Sequence, residues 1–134
     1  MKPDPRSEGR RWLAQAEHDL AFAELAMRER FFAYACFHGQ QAAEKALKAF
    51  LYARGAEQVL GHSVADLLVE CAKLDETFAP LTPRAAPLDQ YYVPTRYPNS
   101  LPGGIPAEAF ARVDAERALE MTREVVAAVK RRLA

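Results

Sequence analysis

Residues 34–49 read YACFHGQQAAEKALKA, and small side chains return along this stretch at three- and four-residue intervals. That interval is the period of an α-helix, so the small residues share one face. The face extends beyond the quoted residues and consists of Ala35, Gly39, Ala42, Ala46, Ala49 and Ala53. Small side chains at a contact let two helices approach closely. The stretch therefore predicts a tightly packed helix from about Phe32 to Arg54, with Gly55 suited to its end.

Polar side chains recur at the same intervals on another face of this helix. They are Tyr34, His38, Gln41, Lys45, Lys48 and Tyr52. Two interpretations are open. The face is either solvated, with Glu44 and Lys48 as an ordinary i,i+4 ion pair, or it is the wall of a groove where Gln41 and Lys45 meet an anionic ligand or an acidic partner.

Three further segments show helical periodicity. The first runs from about Ser7, its candidate N-cap, to Glu29. The next opens at Ser63, which with Asp66 resembles a capping box, and continues to about Thr77. The last starts at Pro106. No glycine or proline lies between Arg28 and Phe32, so periodicity alone permits one long helix there. The pattern predicts a single all-α domain over residues 1–134, an up-and-down bundle of four to five helices.

Residues 78–105 lack helical periodicity and contain six prolines. Long connections inside compact domains are usually functional or disordered, and this one is too aromatic for a disordered linker. Its centre, residues 88–98, reads LDQYYVPTRYP. An arginine among tyrosines offers a guanidinium fork that can bind phosphate and flat faces on which a base can stack. Alternatively, the tyrosines attach the segment to the bundle and Arg96 pairs with Asp89 or a helix C-terminus.

Composition narrows the functional classes. The 134 residues carry 18 Lys+Arg and 18 Asp+Glu, which argues against a domain held to nucleic acid mainly by bulk charge. The basic residues 130–132 suit a helix C-terminus, with an RNA-binding patch as the alternative. Cys36 and Cys71 lie in apolar helical pattern and predict buried, reduced thiols in a cytoplasmic protein. No apolar run approaches the ~18 residues of a membrane span, and residues 1–6 do not form a signal peptide.

Motifs of the common enzyme classes are missing from the sequence. It has no phosphate-binding P-loop, no HExxH and no nucleophile elbow. Its three histidines, His18, His38 and His62, lie on different segments. Neither a metal site nor a cofactor is predicted.

Three stretches together resemble the HEPN family: residues 34–49, Gly61-His62-Ser63 before a leucine-rich helix, and residues 89–98 with Thr95-Arg96-Tyr97-Pro98. The resemblance extends from about Arg11 to Arg132. It implies a helical bundle that commonly forms homodimers, and it favours a break between the first two helices near Arg30. The small-residue stripe could serve that dimer or the monomer's own core.

The resemblance also implies a function. Some HEPN proteins are non-catalytic partners of minimal nucleotidyltransferases, in toxin–antitoxin or stress-response systems, and bind a nucleotide such as ATP. Carried over to this chain, Arg96 would hold phosphate, Tyr92 and Tyr97 would frame the pocket, and the helical wall would consist of Lys45, Gln41 and His38.

Other family members are metal-independent ribonucleases with an arginine four to six residues before a histidine. Here no histidine follows Arg96, and seven residues separate Arg30 from His38. An enzyme is therefore the less favoured expectation. The ribonuclease alternative requires His38 or His62 to reach Arg96 from elsewhere in the fold, and only under it is RNA a partner. A purely structural or interaction module is the further alternative.

Overall fold

The computed structural model describes residues 4–134 of the chain, and within them the regular structure is helical, with no strand. The α-helices are α1 (Pro5–Arg28), α2 (Phe32–Ala53), α3 (Val64–Leu74), α4 (Leu81–Ala85), α5 (Pro106–Ala109) and α6 (Arg112–Leu133). The all-α bundle expected from the sequence is confirmed. Residues 1–3, part of the N-terminal segment considered above, lie outside the described residues. No helix within residues 4–134 has the length and apolar character of a membrane span.

Helix α2 is the centre of the bundle and packs against α1, α6 and α3. Fourteen of its 22 residues are buried. The small-residue stripe lies in this core, where Ala42, Ala46 and Ala49 are fully buried. At Gly39 the backbone carbonyl accepts a 2.8 Å hydrogen bond from the Thr122 hydroxyl of α6. The stripe therefore serves the monomer's own core and is not available to a second subunit.

Helix α1 begins two residues before the predicted start. Its N-cap is Asp4, whose carboxylate accepts a 3.0 Å hydrogen bond from the Ser7 amide. Ser7 was the wrong choice of cap because the aspartate three residues earlier reaches its amide. Farther along, a Cβ on Gly9 would lie 2.6 Å from the Cβ of Ala53 and 2.9 Å from the Ala49 carbonyl oxygen. Glycine at this position lets α1 contact the last turns of α2.

The break between α1 and α2 is confirmed. Arg30 has φ of 68°, in the left-handed region that ends a helix. The turn closes with a 2.8 Å hydrogen bond from the Phe31 amide to the Ala26 carbonyl. Because a non-glycine residue adopts this conformation, no glycine or proline signals the break in the sequence.

Helix α3 is capped from two directions. As predicted, the Ser63 hydroxyl accepts a 3.0 Å hydrogen bond from the Asp66 amide. The carboxylate at this terminus, however, comes from Asp89, which accepts from the Val64 amide at 2.6 Å and from the Ser63 hydroxyl at 2.7 Å. The helix ends at Leu74, before the predicted end, and a 3₁₀ turn follows at Glu76–Phe78.

The long connection is ordered and packed on the bundle, as expected from its composition. It is built from short helical turns: α4 and the 3₁₀ segments Ala86–Tyr91 and Pro98–Ser100. Leu88 and Tyr91 anchor it, with 0% and 7% of their surface exposed.

The prediction that the last helix starts at Pro106 was wrong. The turn α5 ends at Ala109, Phe110 is extended, and α6 starts at Arg112. A 2.8 Å hydrogen bond from the Ala111 amide to the Asp114 carboxylate fixes this second start.

Both cysteines are free and buried, as predicted. Burial is the main cause that raises the pKa of each thiol to about 12.

Candidate functional site

Arg96 lies among three aromatic rings. Its guanidinium carbon is 4.4 Å from the ring centroid of Phe37, 4.7 Å from that of Tyr92 and 5.1 Å from that of Tyr97. We call these four residues the Arg96 cluster. Phe37 belongs to α2 and the other three to the connection, so the cluster forms where the connection crosses α2. Cation–π contact of this kind holds a guanidinium without neutralising its charge.

The backbone around Arg96 is fixed by local hydrogen bonds. The Arg96 amide donates to the Val93 carbonyl at 3.0 Å, and its Nε donates to the Tyr92 carbonyl at 2.9 Å. Beside it, Thr95 is buried and donates its hydroxyl to the Tyr91 carbonyl at 2.5 Å. Arg96 does not pair with Asp89, as one interpretation of the sequence had it, because that carboxylate caps α3.

An imidazole lies next to the cluster. The ring of His62 stacks on that of Tyr92, with centroids 4.7 Å apart and planes 18° from parallel. Its Nδ1 is 3.2 Å from Oε1 of Glu44. The carboxylate orients the ring, while 57% of the His62 side chain is exposed. His62 and Arg96 thus share a contact with Tyr92 inside one chain, which the spacing of the two residues in the sequence did not reveal.

Glu44 itself is buried against a lysine. Its Oε2 is 3.1 Å from Nζ of Lys48, and the two side chains are only 5% and 7% exposed. The predicted i,i+4 pair exists, but the idea that it lies on a solvated face was wrong. The loop before α3 packs over this side of α2, with Nδ1 of His62 3.2 Å from Glu44, and the pair is almost completely buried.

The predicted helical wall of a nucleotide pocket is divided. Lys45 forms an ion pair of 2.5 Å with Asp19 of α1, so its charge is already paired within the protein. Gln41 donates to the side-chain oxygens of Gln40 at 2.8 Å and Glu44 at 3.3 Å, so it supports the His62 side of the site.

His38 is closer to the cluster. The centroid of its ring is 4.8 Å from that of Phe22 and 5.1 Å from that of Phe37. Phe37 in turn contacts the Arg96 guanidinium. Burial lowers the pKa of His38 from its ordinary value, and the charge of Lys45 acts in the same direction while that of Asp19 opposes it. His38 is therefore neutral at pH 7 and contributes no positive charge for phosphate.

Three contributors were missed in the sequence. From the sequence, Glu44 was placed in an ordinary ion pair, and Phe37 and Gln40 were given no role of their own. Gln40 is fully buried and donates a 2.8 Å hydrogen bond to the His62 carbonyl, which holds the loop in place. The available signal was a pair of polar residues one helical turn apart, Gln40 and Glu44, with Ala42 and Ala43 between them. Within residues 4–134, no three His, Cys, Asp or Glu side chains converge as metal ligands would.

Comparison with known proteins gives consistent results. The crystal structure of TT1696 from Thermus thermophilus superposes with a TM-score of 0.87 at 40% identity, over 92% of this chain and 97% of that one. ST0689, described as an archaeal HEPN homologue, gives a TM-score of 0.78 at 33% identity over the full length of both chains. The HEPN domain protein tm0613 of Thermotoga maritima gives 0.73 at 32% identity, over 92% of this chain and 97% of that one.

Among proteins compared by sequence, this chain is 28% identical over 127 residues to the "Putative toxin MJ1304" of Methanocaldococcus jannaschii. The alignment covers 89% of this chain and 84% of that protein. The sequence model of the HEPN domain matches residues 10–132, nearly the whole chain. The helical bundle, the sequence match and the solved relatives agree, and the chain belongs to the HEPN family.

Proposed function

We propose that this HEPN protein binds a nucleotide at the Arg96 cluster and acts, without catalysing a reaction itself, beside a nucleotidyltransferase. The observation that carries the proposal is that the charge of Arg96 has no acidic partner among the described residues. Its Nε is bonded to a backbone carbonyl, but no carboxylate among residues 4–134 pairs with its guanidinium. The two terminal nitrogens of the Arg96 guanidinium are therefore available to donate hydrogen bonds to a phosphate.

The surroundings of Arg96 suit the rest of a nucleotide. Tyr97 is 51% exposed and offers a ring face on which a base can stack. Arg96 also lines a cleft of about 170 Å³, together with Phe31 of the α1–α2 turn and Tyr34 of α2. One arginine can bind one phosphate, and the aromatic rings beside it can stack on one base. A nucleoside monophosphate therefore contains the recognised parts.

Calorimetric titration tests this directly. AMP, ATP, GTP and NAD are added to the wild type, to Arg96→Gln and to Arg84→Gln. Arg84 is the matched control, because its side chain is 64% exposed and pairs with Glu124 outside the cluster. We expect AMP to bind the wild type and the control equally, and Arg96→Gln at least tenfold more weakly, which is about 1.4 kcal/mol. No heat with any nucleotide would exclude the proposal. A less stable Arg96→Gln with unchanged binding would make the residue structural.

The partner and the homodimer are part of the same proposal. Four large apolar side chains are exposed near the α1–α2 turn, which is surface that a protein partner would cover: Phe22, Leu25, Phe31 and Tyr34. Co-expression with a nucleotidyltransferase encoded in a neighbouring gene should give a complex that survives gel filtration. Sedimentation equilibrium of the chain alone at micromolar concentration should give twice the mass of 14.9 kDa. A monomer would contradict the homodimer, and separate elution would contradict the partner.

The second candidate is a metal-independent ribonuclease, and it is favoured by the position of His62. Glu44 orients its imidazole through Nδ1, and the exposed side chain leaves Nε2 able to accept a proton from a ribose 2′-hydroxyl. Arg96, on the same tyrosine ring, would stabilise the charge that develops on the phosphate. The similarity to an archaeal protein named as a toxin agrees with such an activity.

RNA cleavage in EDTA separates the two candidates. A ribonuclease would lose activity in both His62→Gln and Arg96→Gln, but keep it in His18→Gln, which changes an exposed histidine of α1. If the wild type leaves several RNAs intact while AMP binding depends on Arg96, the non-catalytic proposal stands alone.

A further inference from the structure

Four arginines surround a second cleft where the ends of three helices meet. Arg6 and Arg10 come from the start of α1, Arg54 from the end of α2 and Arg132 from the end of α6. The cleft has a volume of about 270 Å³, and Asp75 is the acidic side chain in its lining. We call it the arginine cleft. Its lining has a surplus of three positive charges in a chain whose formal net charge is zero.

The single carboxylate is already satisfied within the protein. Asp75 accepts hydrogen bonds from the amide and the hydroxyl of Thr77 and from Nε of Arg132. The Arg132 guanidinium is engaged by this ion pair and by a hydrogen bond that it donates to the carbonyl of Ala128. Asp75 therefore neutralises one arginine of the cleft and leaves the charge of the other three.

Those three arginines have weak or no partners. Arg54 reaches the Leu74 carbonyl only at 3.4 Å, and Arg10 donates to the hydroxyl of Ser7. No hydrogen bond or ion pair engages Arg6 within the described part of the chain. All three are exposed and can turn toward a ligand.

Local helix energetics do not explain the two arginines of α1. Arg6 lies in the first turn, where the helix dipole favours acidic side chains. Arg10 follows one turn later on the same face, so the two like charges repel each other. Gly9 brings this face against Ala49 and Ala53 and so places both arginines beside the end of α2. An anion in the cleft would compensate both unfavourable placements.

We propose that the arginine cleft binds a chain of phosphate groups, as in inorganic triphosphate or the tail of a nucleoside triphosphate. The paired N–H groups of a guanidinium match the oxygens of a phosphate, and the cleft has a volume of about 270 Å³. The aromatic ring in its lining, Phe50, is 2% exposed and cannot stack on a base. The site therefore recognises phosphates and not a base, and it is separate from the Arg96 cluster.

The test is calorimetric titration of inorganic triphosphate into the full chain. The site variant is Arg6→Gln/Arg10→Gln. The control is Arg28→Gln/Arg131→Gln, which removes the same charge from exposed positions of α1 and α6 outside the cleft. We expect one saturable site in the wild type and the control, at least tenfold weaker in the site variant. Both double variants should keep the wild-type circular dichroism and melting temperature within a few degrees.

The Arg96→Gln variant separates this inference from the proposed function, because it should bind triphosphate like the wild type. Titrating ATP into that variant separates the two sources: affinity equal to that of triphosphate shows that the cleft accepts the tail of a nucleotide, and at least tenfold weaker binding indicates a free phosphate chain with both ends in contact. The inference is overturned if triphosphate does not bind, if the site variant binds normally, or if the control loses affinity equally. A single-stranded RNA that binds more tightly than triphosphate, and is weakened by the same pair of substitutions, would also replace it.

Discussion

The buried ion pair between Glu44 and Lys48 gives the sharpest stability prediction. Replacing Lys48 with methionine keeps the volume but leaves the Glu44 carboxylate buried without its counter-ion. Breaking a buried pair on one side costs about 3–5 kcal/mol. Glu44 retains contacts to Gln41 at 3.3 Å and His62 at 3.2 Å, so we expect the lower end, about 3 kcal/mol. In a domain of this size that lowers the melting temperature by about 10 °C.

The same chain provides the comparison. Lys73 and Glu70 of α3 pair at 2.9 Å, but their side chains are 64% and 55% exposed. Lys73→Met should therefore cost less than about 1 kcal/mol. The double variant Glu44→Gln/Lys48→Met removes both buried charges and should recover most of the loss caused by Lys48→Met alone.

Equilibrium unfolding in urea gives the free energy of unfolding of the wild type, Lys48→Met, Lys73→Met and the double variant. It should be repeated at high salt, because a buried pair is screened much less than an exposed one. The reasoning fails if Lys48→Met costs no more than Lys73→Met. It also fails if the double variant is less stable than Lys48→Met, since a dry pair cannot then be the reason for the loss.

Three further predictions concern other positions. Asp89→Ala should cost about 2 kcal/mol, because α3 loses a charge-assisted cap; faster hydrogen exchange at the first amides of α3 checks the mechanism, and Asp89→Asn should recover part of the loss. Gly9→Ala should destabilise by about 1–3 kcal/mol through overpacking, despite the better helix propensity of alanine; Gly39→Ala, with its nearest contact at 3.2 Å, should cost less in the same urea titration, and a more stable Gly9→Ala would contradict the close approach of α1 to α2. Because burial raises the pKa of the Cys36 and Cys71 thiols to about 12, only about one in ten thousand of each thiol is ionised at pH 8. Iodoacetamide should therefore label both cysteines slowly in the native protein and rapidly in urea, whereas rapid labelling of the native protein would show that they are accessible.

Periodicity predicted the helices but not all of their ends. The core face of α2 could be predicted because a repeat of small residues has one simple packing solution. The end of α1 could not be predicted from periodicity, since Arg30 adopts a left-handed conformation without a glycine, and only the family resemblance indicated the break. The start of α6 was misplaced because Pro106 is a good first residue for a helix, although here it begins only one short turn.

The candidate site was predicted unevenly, for a physical reason. Arg96, Tyr92 and Tyr97 are close in sequence, so one turn of backbone suffices to bring them together. His62 and Glu44 are 18 positions apart, and their contact depends on the path of the loop before α3. Lys45 has the correct period for the same face, but α1 supplies Asp19 as its partner, which a pattern within one helix cannot show.

The cap on α3 has a consequence for the order of assembly. The carboxylate that holds the first turn of this helix is supplied 25 residues later in the chain. During synthesis, α1 and α2 can pair and α3 can emerge before that carboxylate exists. Because synthesis starts at the N-terminus, α1 and α2 are complete before Asp89 is added to the chain. The loop that carries His62 and the Arg96 cluster can take their final positions only after Asp89 is present. A nascent or truncated chain that ends before Asp89 lacks Tyr92, Arg96 and Tyr97, and its α3 lacks the carboxylate that holds the first turn next to the loop carrying His62.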